Sequence, residues 1–382
     1  MVKDSMVEDS VVKGRIFYRD AILFVMDIIR DLPIGIFDSG VGGFTVARKI
    51  ADRLPHESIL YFGDTLRCPY GPRSLEEVKA FALQISHWLV KQKVKLIVVA
   101  CNSATAAGLE AIQRAMDVPV IGVIEPGARA AVRVTTARRI GVIGTIATIE
   151  SGAYTRAIRS LDAGITVFSA ATPRFVEIVE QGLRLDRNPF ETLAAQTSSI
   201  YIRPAFQEIA RDYLDPIKRC KIDTLVLGCT HYPLLTSLVR SVLGPDISII
   251  SSAEETARDV AEFLSRRRQL ASETNMPRYR FATTALEPDD FMVLGSAIFH
   301  HAINDDNLTV VMLEELEDAF VRSARETSFA VEAELSKTAA GQQGQAEQEF
   351  LGQAEQEFER ELEQELAQEF APAAIAEGEK TA

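Results

Sequence analysis

Between residues 34 and 260 the chain alternates short β-branched runs with helix-length segments, and this rhythm restricts the fold more than any other feature. Ile34–Phe37, Ser58–Phe62, Leu96–Ala100, Val118–Val123, Ile140–Ile143, Ile165–Ser169, Leu225–Leu227 and Ile247–Ile250 read as strands. Ser74–Lys91, Ala104–Met116 and Ser151–Ser160 read as helices. Runs that are apolar at nearly every position belong to strands covered on both faces, and parallel strands need a long crossover between them. The pattern therefore predicts an α/β fold with largely parallel sheets. In such sheets ligands sit beyond the carboxyl ends of the strands, so the polar residues just after each run carry the functional interest.

Two run ends share one design. Leu96–Ser103 (LIVVACNS) and Thr224–His231 (TLVLGCTH) each present an apolar run, a small residue, a cysteine, and then polar groups with a hydroxyl among them. Ile34–Asp38 and Ile140–Gly144 likewise both open with Ile-Gly and continue as a strand into a loop. Two similar α/β halves, each offering one cysteine to a shared cleft, would account for both echoes. A cysteine at a strand end is commonly a small buried hydrophobe. Two of them, Cys101 and Cys229, each followed by hydrogen-bonding side chains, shift the balance towards chemistry.

His231 stands two residues after Cys229. In extended chain, i and i+2 point the same way, so the imidazole can reach the thiol or whatever it attacks. A nearby imidazolium favours thiolate, the reactive form; a structural hydrogen bond is the alternative role. The loop Asp38–Gly43 (DSGVGG) follows a strand and leads into a helical pattern near Phe44. Its amides suit an anion at a helix N-terminus, but it matches neither G-x-G-x-x-G nor a Walker A loop, so no dinucleotide site is expected. Asp38 is either a helix-capping carboxylate or a catalytic one. Pro69–Pro72 (PYGP) forms a rigid turn that offers amide and phenol groups. Cys68 and Cys220 receive no role. The Cys and His residues, the His300–His301 pair included, lack the close ligand spacing of structural zinc sites, so no metal is expected.

A chain of 382 residues that is 47% hydrophobic can build two modest domains. Its formal charge of −13 is concentrated at one end: residues 341–382 hold eleven Glu against one Arg and one Lys, which leaves −4 for the rest. The acidity thus says little about the body of the protein. No basic patch interleaved with aromatics appears, so nucleic acid is not expected as a partner. Four cysteines without a C-x-x-C pair, behind an acidic rather than basic start, indicate reduced thiols in a cytoplasm. The apolar stretch Ala21–Met26 is too short to span a membrane, so no membrane association is expected. Met26 is a candidate start, with residues 1–33 an N-terminal extension. GQAEQEF occurs at 344–350 and again at 352–358, within a Glu/Gln/Ala-rich segment. Residues 314–382 are expected to be a solvated, partly helical tail with an unknown partner.

Taken together, six blocks resemble the glutamate racemases of the aspartate/glutamate racemase superfamily. They are IGIFDSGVGG (34–43), YFGDTLRCPYGPRS (61–74), VVACNSAT (98–105), VIGVIEPG (120–127), IGVIGTIATIESGAY (140–154) and LVLGCTHYPLL (225–235), in the family's order. The resemblance implies two similar α/β domains with the active site in the cleft between them: 34–128 with about 240–313, and 129–239. It implies Cys101 and Cys229 as acid/base residues on opposite faces of a substrate α-carbon, Cys101 assisted by Asp38 and Cys229 by His231. A further carboxylate maps to Glu180 rather than Glu177, because Glu180 precedes Gln181-Gly182 as in the family pattern. Asp38, Ser39, Tyr70, Gly71, Asn102, Ser103, Thr230 and His231 fall at substrate-binding positions. Ser103 and Thr172 stand where many relatives carry Thr and Cys, and neither change touches the acid/base groups. The implied activity is cofactor-independent interconversion of L-glutamate and D-glutamate, with D-glutamate supplied to peptidoglycan precursors. Dimers are common in that family, so a homodimer is expected.

The residue types suit that chemistry. Racemisation removes the α-proton from one face and returns a proton to the other, so one thiol must start as thiolate while its partner is protonated. An ordinary Cys titrates near ~8.5, so neighbouring groups must set which sulfur holds the proton. Three rivals remain open at this point: a racemase for aspartate on the same fold, a hydrolase with Cys229 as nucleophile, and a non-catalytic scaffold.

Overall fold

The computed structural model describes residues 29–185 and 203–321. The candidate start at Met26 and nearly all of the acidic tail lie outside these residues. By internal packing the chain divides at Phe320/Val321, and every element below belongs to the first unit.

Among the described residues ten strands form two sheets in which every pairing is parallel. The first half of the chain lays down β1 (Ile34–Asp38), α1 (Phe44–Arg53), β2 (Ile59–Gly63), α2 (Leu75–Lys91), β3 (Leu96–Val99), α3 (Asn102–Ala115), β4 (Val120–Gly122) and α4 (Ile124–Val134). A second run follows: β5 (Arg139–Gly144), α5 (Ile146–Glu150), α6 (Ala153–Leu161), β6 (Thr166–Ala171), α7 (Arg174–Leu185), α8 (Pro204–Arg219), β7 (Thr224–Gly228), α9 (Thr236–Leu243) and β8 (Ser248–Ser251). The chain then passes through α10 (Ser252–Arg266) to β9 (Tyr279–Thr283), α11 (Asp289–Phe299) and β10 (Leu308–Val310). Among these helices none is long and apolar enough to cross a membrane.

The larger sheet has the order β10-β9-β2-β1-β3-β4 and the smaller one β6-β5-β7-β8. β1, β2, β3 and β7 are buried at every residue, as strands covered on both faces should be. Side chains such as Phe37, Phe62, Ile97 and Val99 fill one core, while Phe44, Tyr61, Phe281 and Phe299 fill another. Burying each of these stabilises the fold by roughly 1.5–3 kcal/mol. Phe44 and Tyr61 stack with ring centroids 3.8 Å apart, and the Tyr61 hydroxyl donates to the carbonyl of Gly40 at 2.7 Å. That bond ties the glycine-rich loop after β1 to the core.

Four local readings need correction. β4 ends at Gly122 rather than Val123, because Val123 already has helical dihedrals and caps α4. α3 begins at Asn102, immediately after Cys101, two residues before the expected start. The helix expected from Ser151 begins at Ala153, because Gly152, in the left-handed region at φ 65°, separates α5 from α6. β8 pairs with β7, so the chain returns to the larger sheet after Ser251 and not near residue 240. Elsewhere local signals hold. Ser74 caps α2 with a reciprocal Glu77 capping box, as its Ser-x-x-Glu spacing favours.

Candidate active site

Each cysteine lies at the point where strand order reverses in its own sheet. In the larger sheet β1 is flanked by β2 and β3, so the chain leaves β1 in one direction and resumes in the other. In the smaller sheet β5 is flanked in the same way by β6 and β7. A crevice opens at the carboxyl ends of the strands wherever such a reversal occurs. Asp38 and Cys101 flank the first crevice, and Thr145 and Cys229 flank the second. The two crevices share one pocket, lined by Ser39, Tyr70, Cys101, Asn102, Thr145, Val176, Cys229 and His231 among others. Its cavity volume of about 20 Å³ is room for about one water.

On the Cys101 side the partners are a carboxylate and a hydroxyl. Cys101 is the N-cap of α3, and its Sγ lies 4.0 Å from the Ser39 Oγ. Burial first, and then the charge of Asp38, push its thiol up to about 12, against smaller help from the amides of Ala104 and Ser39. Asp38 is fully buried. It accepts a hydrogen bond from the Gly40 amide at 3.1 Å and another from the Thr230 hydroxyl at 3.2 Å. It does not cap α1, whose N-cap is Gly43 without a side-chain bond, so the capping role is excluded.

On the Cys229 side the partner is an imidazole. The Cys229 Sγ lies 3.9 Å from His231 Nδ1, and the other ring nitrogen lies 3.5 Å from a Glu180 oxygen. The second distance is long for a hydrogen bond, and His231 Nε2 lacks hydrogen-bond geometry to any described group, yet the separation is short for charge attraction. Burial pulls the imidazole down, but the hydrogen bond with Cys229 and the charges of Cys229 and Glu180 outweigh it and bring the group up to about 10. Glu180, and not the exposed Glu177, therefore faces His231. Glycine at position 42 is a requirement of space. A Cβ there would stand 2.4 Å from the Thr230 Oγ1 and 2.5 Å from His231 Nδ1, so only glycine lets the β1 loop close over the Cys229 turn.

The rest of the pocket wall is hydroxyl-rich. The Ser103 Oγ is 2.9 Å from the Thr145 Oγ1, which also bonds Thr148 and caps α5. Tyr70 and Gly71 arrive on the turn after Arg67, and buried Asp64 holds that turn. Its carboxylate accepts from Arg67 Nε at 2.7 Å, from the Thr284 hydroxyl at 2.9 Å and from the Tyr70 hydroxyl. Of the site residues expected from sequence, Ser39, Tyr70, Gly71, Cys101, Asn102, Ser103, Cys229, Thr230 and His231 line one pocket, while Asp38 and Glu180 stand behind it, bonded to Thr230 and facing His231.

Comparison with known proteins follows the same lines. The Asp/Glu/Hydantoin racemase family model matches residues 44–260. A glutamate racemase from Exiguobacterium sibiricum is 43% identical over 282 residues, spanning 74% of this chain and 97% of its own length. The chain belongs to the glutamate racemase family. The crystal structure of glutamate racemase isoform RacE1 from Bacillus anthracis superposes with a TM-score of 0.66 at 43% identity, covering 74% of this chain and 98% of that one. A Francisella tularensis glutamate racemase in complex with D-glutamate does so with a TM-score of 0.65 at 31% identity, covering 74% and 98%. Membership makes this protein an isomerase with two α/β domains.

Sequence reasoning missed several residues of this racemase pocket. Thr145 and Val176 line it, and Tyr154 and Asp64 hold residues that do. Thr145 carried a signal, being the first polar residue after the run Ile140–Ile143 and its Gly144. Cys68, left without a role, stands beside the β1 loop, where a Cβ on Gly40 would be 3.2 Å from its Sγ. Burial and then the charges of Glu180, Asp38 and Cys101 push its thiol well above the ordinary range.

Proposed function

We propose that this protein interconverts L-glutamate and D-glutamate without a cofactor, with Cys101 and Cys229 acting on opposite faces of the substrate α-carbon. The observation that carries the reading is that two strand-end thiols, one from each sheet, line the same small pocket. One thiolate takes the α-proton, leaving its electron pair on the α-carbon, and the opposite thiol delivers its own proton to the other face. The sulfur roles are then exchanged, and protons redistribute before the next turnover. Asp38 assists Cys101; His231, backed by Glu180, assists Cys229. Ser39, Tyr70, Gly71, Asn102, Ser103 and Thr230 supply donors to the substrate, and Thr145 joins them. Glutamate is favoured as substrate by the curated relatives and by the D-glutamate held in the Francisella tularensis enzyme.

A water-sized cavity does not admit an amino acid, so the two domains separate on entry and close over the substrate. Closure excludes water, which strengthens every dipole aimed at the developing charge. The α-proton is weakly acidic and no cofactor is invoked to delocalise the charge, so this exclusion carries much of the burden. D-glutamate for peptidoglycan precursors, a cytoplasmic location and a homodimeric state complete the reading. The test is α-proton exchange with L- and D-glutamate in D₂O, followed by NMR and circular dichroism without added cofactor. Deuterium incorporation with loss of optical rotation is expected. Folded protein that exchanges aspartate and not glutamate overturns the substrate assignment, and exchange with neither overturns the racemase reading.

A further inference from the structure

Tyr154 is a buried side chain that reaches both cysteine turns. It is the second residue of α6, in the half of the chain that carries Cys229, and is 2% exposed. Its ring lies over the backbone just before Cys229, since a Cβ on Gly228 would be 3.1 Å from the Tyr154 Cε2. Its hydroxyl crosses to the other half and donates to the Asn102 Oδ1 at 2.8 Å, one residue after Cys101.

This bond sets the orientation of an amide. The Tyr154 hydroxyl has one proton and places it on the Asn102 Oδ1, so the oxygen of that amide faces Tyr154. The NH₂ arm then points the other way. It is buried and has no protein partner among the described residues, while Asn102 lines the pocket beside Cys101. A buried donor without a partner is costly unless a ligand satisfies it. A carboxylate, which only accepts, suits that donor; a rotated amide would present its oxygen and repel it.

We propose that Tyr154 is a positioning residue: it holds the Asn102 amide with NH₂ towards the substrate carboxylate, and it ties that orientation to the backbone bearing Cys229. The proposal rests on the racemase reading above. The donor is correctly aimed only when the two halves are closed, because the bond that aims it spans them. Substrate binding and alignment of the two thiols are thereby coupled through one hydroxyl.

The test is a double-mutant cycle of Tyr154→Phe and Asn102→Ala, with KM and kcat measured from both enantiomers and thermal unfolding recorded for each variant. Tyr154→Phe keeps the ring over Gly228 and removes only the hydroxyl. It should raise KM for L- and D-glutamate alike by about tenfold, the scale of one hydrogen bond of ~1.4 kcal/mol, with a smaller change in kcat. On the Asn102→Ala background the same substitution should change KM less than about twofold, because interacting residues are non-additive. An unchanged KM, or an effect that persists in full without Asn102, overturns the proposal and leaves Tyr154 a packing residue. If wild-type protein exchanges no α-proton, the underlying reading fails and takes this proposal with it. That result is read on the wild type alone and is distinct from the others.

Discussion

The two halves of the pocket share a topology and differ in how they hold a proton. Cys101 follows β3 beside β1, and Cys229 follows β7 beside β5, each at a reversal of strand order. Around Cys101 the charge that acts most strongly is a fully buried carboxylate, and the sulfur is held up at about 12, so its proton stays on the thiol. Beside Cys229 stands an imidazole, held up at about 10, so His231 keeps its own proton across neutral pH. Repeating a strand-loop design thus does not repeat its acid–base character. A two-base reaction needs one acid and one base at the outset, and a carboxylate on one side with an imidazole on the other supplies that asymmetry.

Removing either sulfur should break the comparison most severely. Cys101→Ala and Cys229→Ala should each abolish measurable racemisation, a loss of at least about 10²–10⁴-fold. Each variant keeps one base, however. It should still wash the α-deuterium out of the one enantiomer that presents it to the surviving sulfur, with a different enantiomer for each variant. The check is NMR of α-deuterated L- and D-glutamate in H₂O. Washout of both enantiomers by either single variant would show that the two sulfurs do not serve opposite faces.

His231→Gln tests the imidazole half next. Enantiomers have equal free energy, so kcat/KM must fall equally in both directions, here by about 10²-fold. The asymmetry should surface in washout: the enantiomer deprotonated by Cys229 should lose its α-deuterium more slowly than the other. Equal slowing of both would mean that His231 serves the pocket as a whole and not Cys229.

How far the sequence made this difference legible depends on distance along the chain. Cys101, Cys229 and His231 could be read because each lies at the end of an apolar run, and strand direction then dictates where it emerges. The two sheets were legible for the same reason. β9 and β10 were not: Tyr279–Thr283 is interrupted by exposed Arg280, and Leu308–Val310 has three residues. Both occupy one side of the larger sheet, beyond β2, where burial imposes less pattern. The bonds that differentiate the halves join residues far apart, Asp38 with Thr230 across 192 positions and Tyr154 with Asn102 across 52. No local periodicity encodes such pairs, and Tyr154 on its own reads as one more apolar residue of a helix.

Asp38→Asn sharpens the other half of the comparison. It preserves shape and removes the charge that, after burial, does most to hold the Cys101 proton in place. The thiol should then titrate below about 12, and a thiol made tenfold more acidic carries about ten times the thiolate at a given pH below its pKa. Alkylation of Cys101 by iodoacetamide near pH ~9 should quicken by about tenfold, while that of Cys229 moves less. Racemisation should fall by about 10–10²-fold, because the assisting base is lost. Unaltered alkylation of Cys101 would show that burial alone sets its proton affinity.

Glu180→Gln should have the smallest effect and is the most specific to one half. Its side chain is 30% exposed, so its attraction for the imidazolium is partly screened. His231 is held above its ordinary value of 6.5, so it keeps its proton through neutral pH and loses it as pH rises through about 10. Without the Glu180 charge the proton should leave at lower pH, and the alkaline limb of the activity profile should move in the same direction. Near neutrality the rate should drop no more than about tenfold, since Cys229 still supports the imidazolium. NMR titration of the His231 ring follows that proton directly, with Glu177→Gln as the control that leaves it in place because Glu177 faces solvent. The Cys101 alkylation profile should not move, as His231 and Glu180 are not among the main causes of its raised value. A His231 titration that stays at about 10 in Glu180→Gln would assign the imidazolium to Cys229 alone. The second half would then be a thiol–imidazole pair needing no carboxylate, and the contrast with the carboxylate-backed Cys101 would be sharper still.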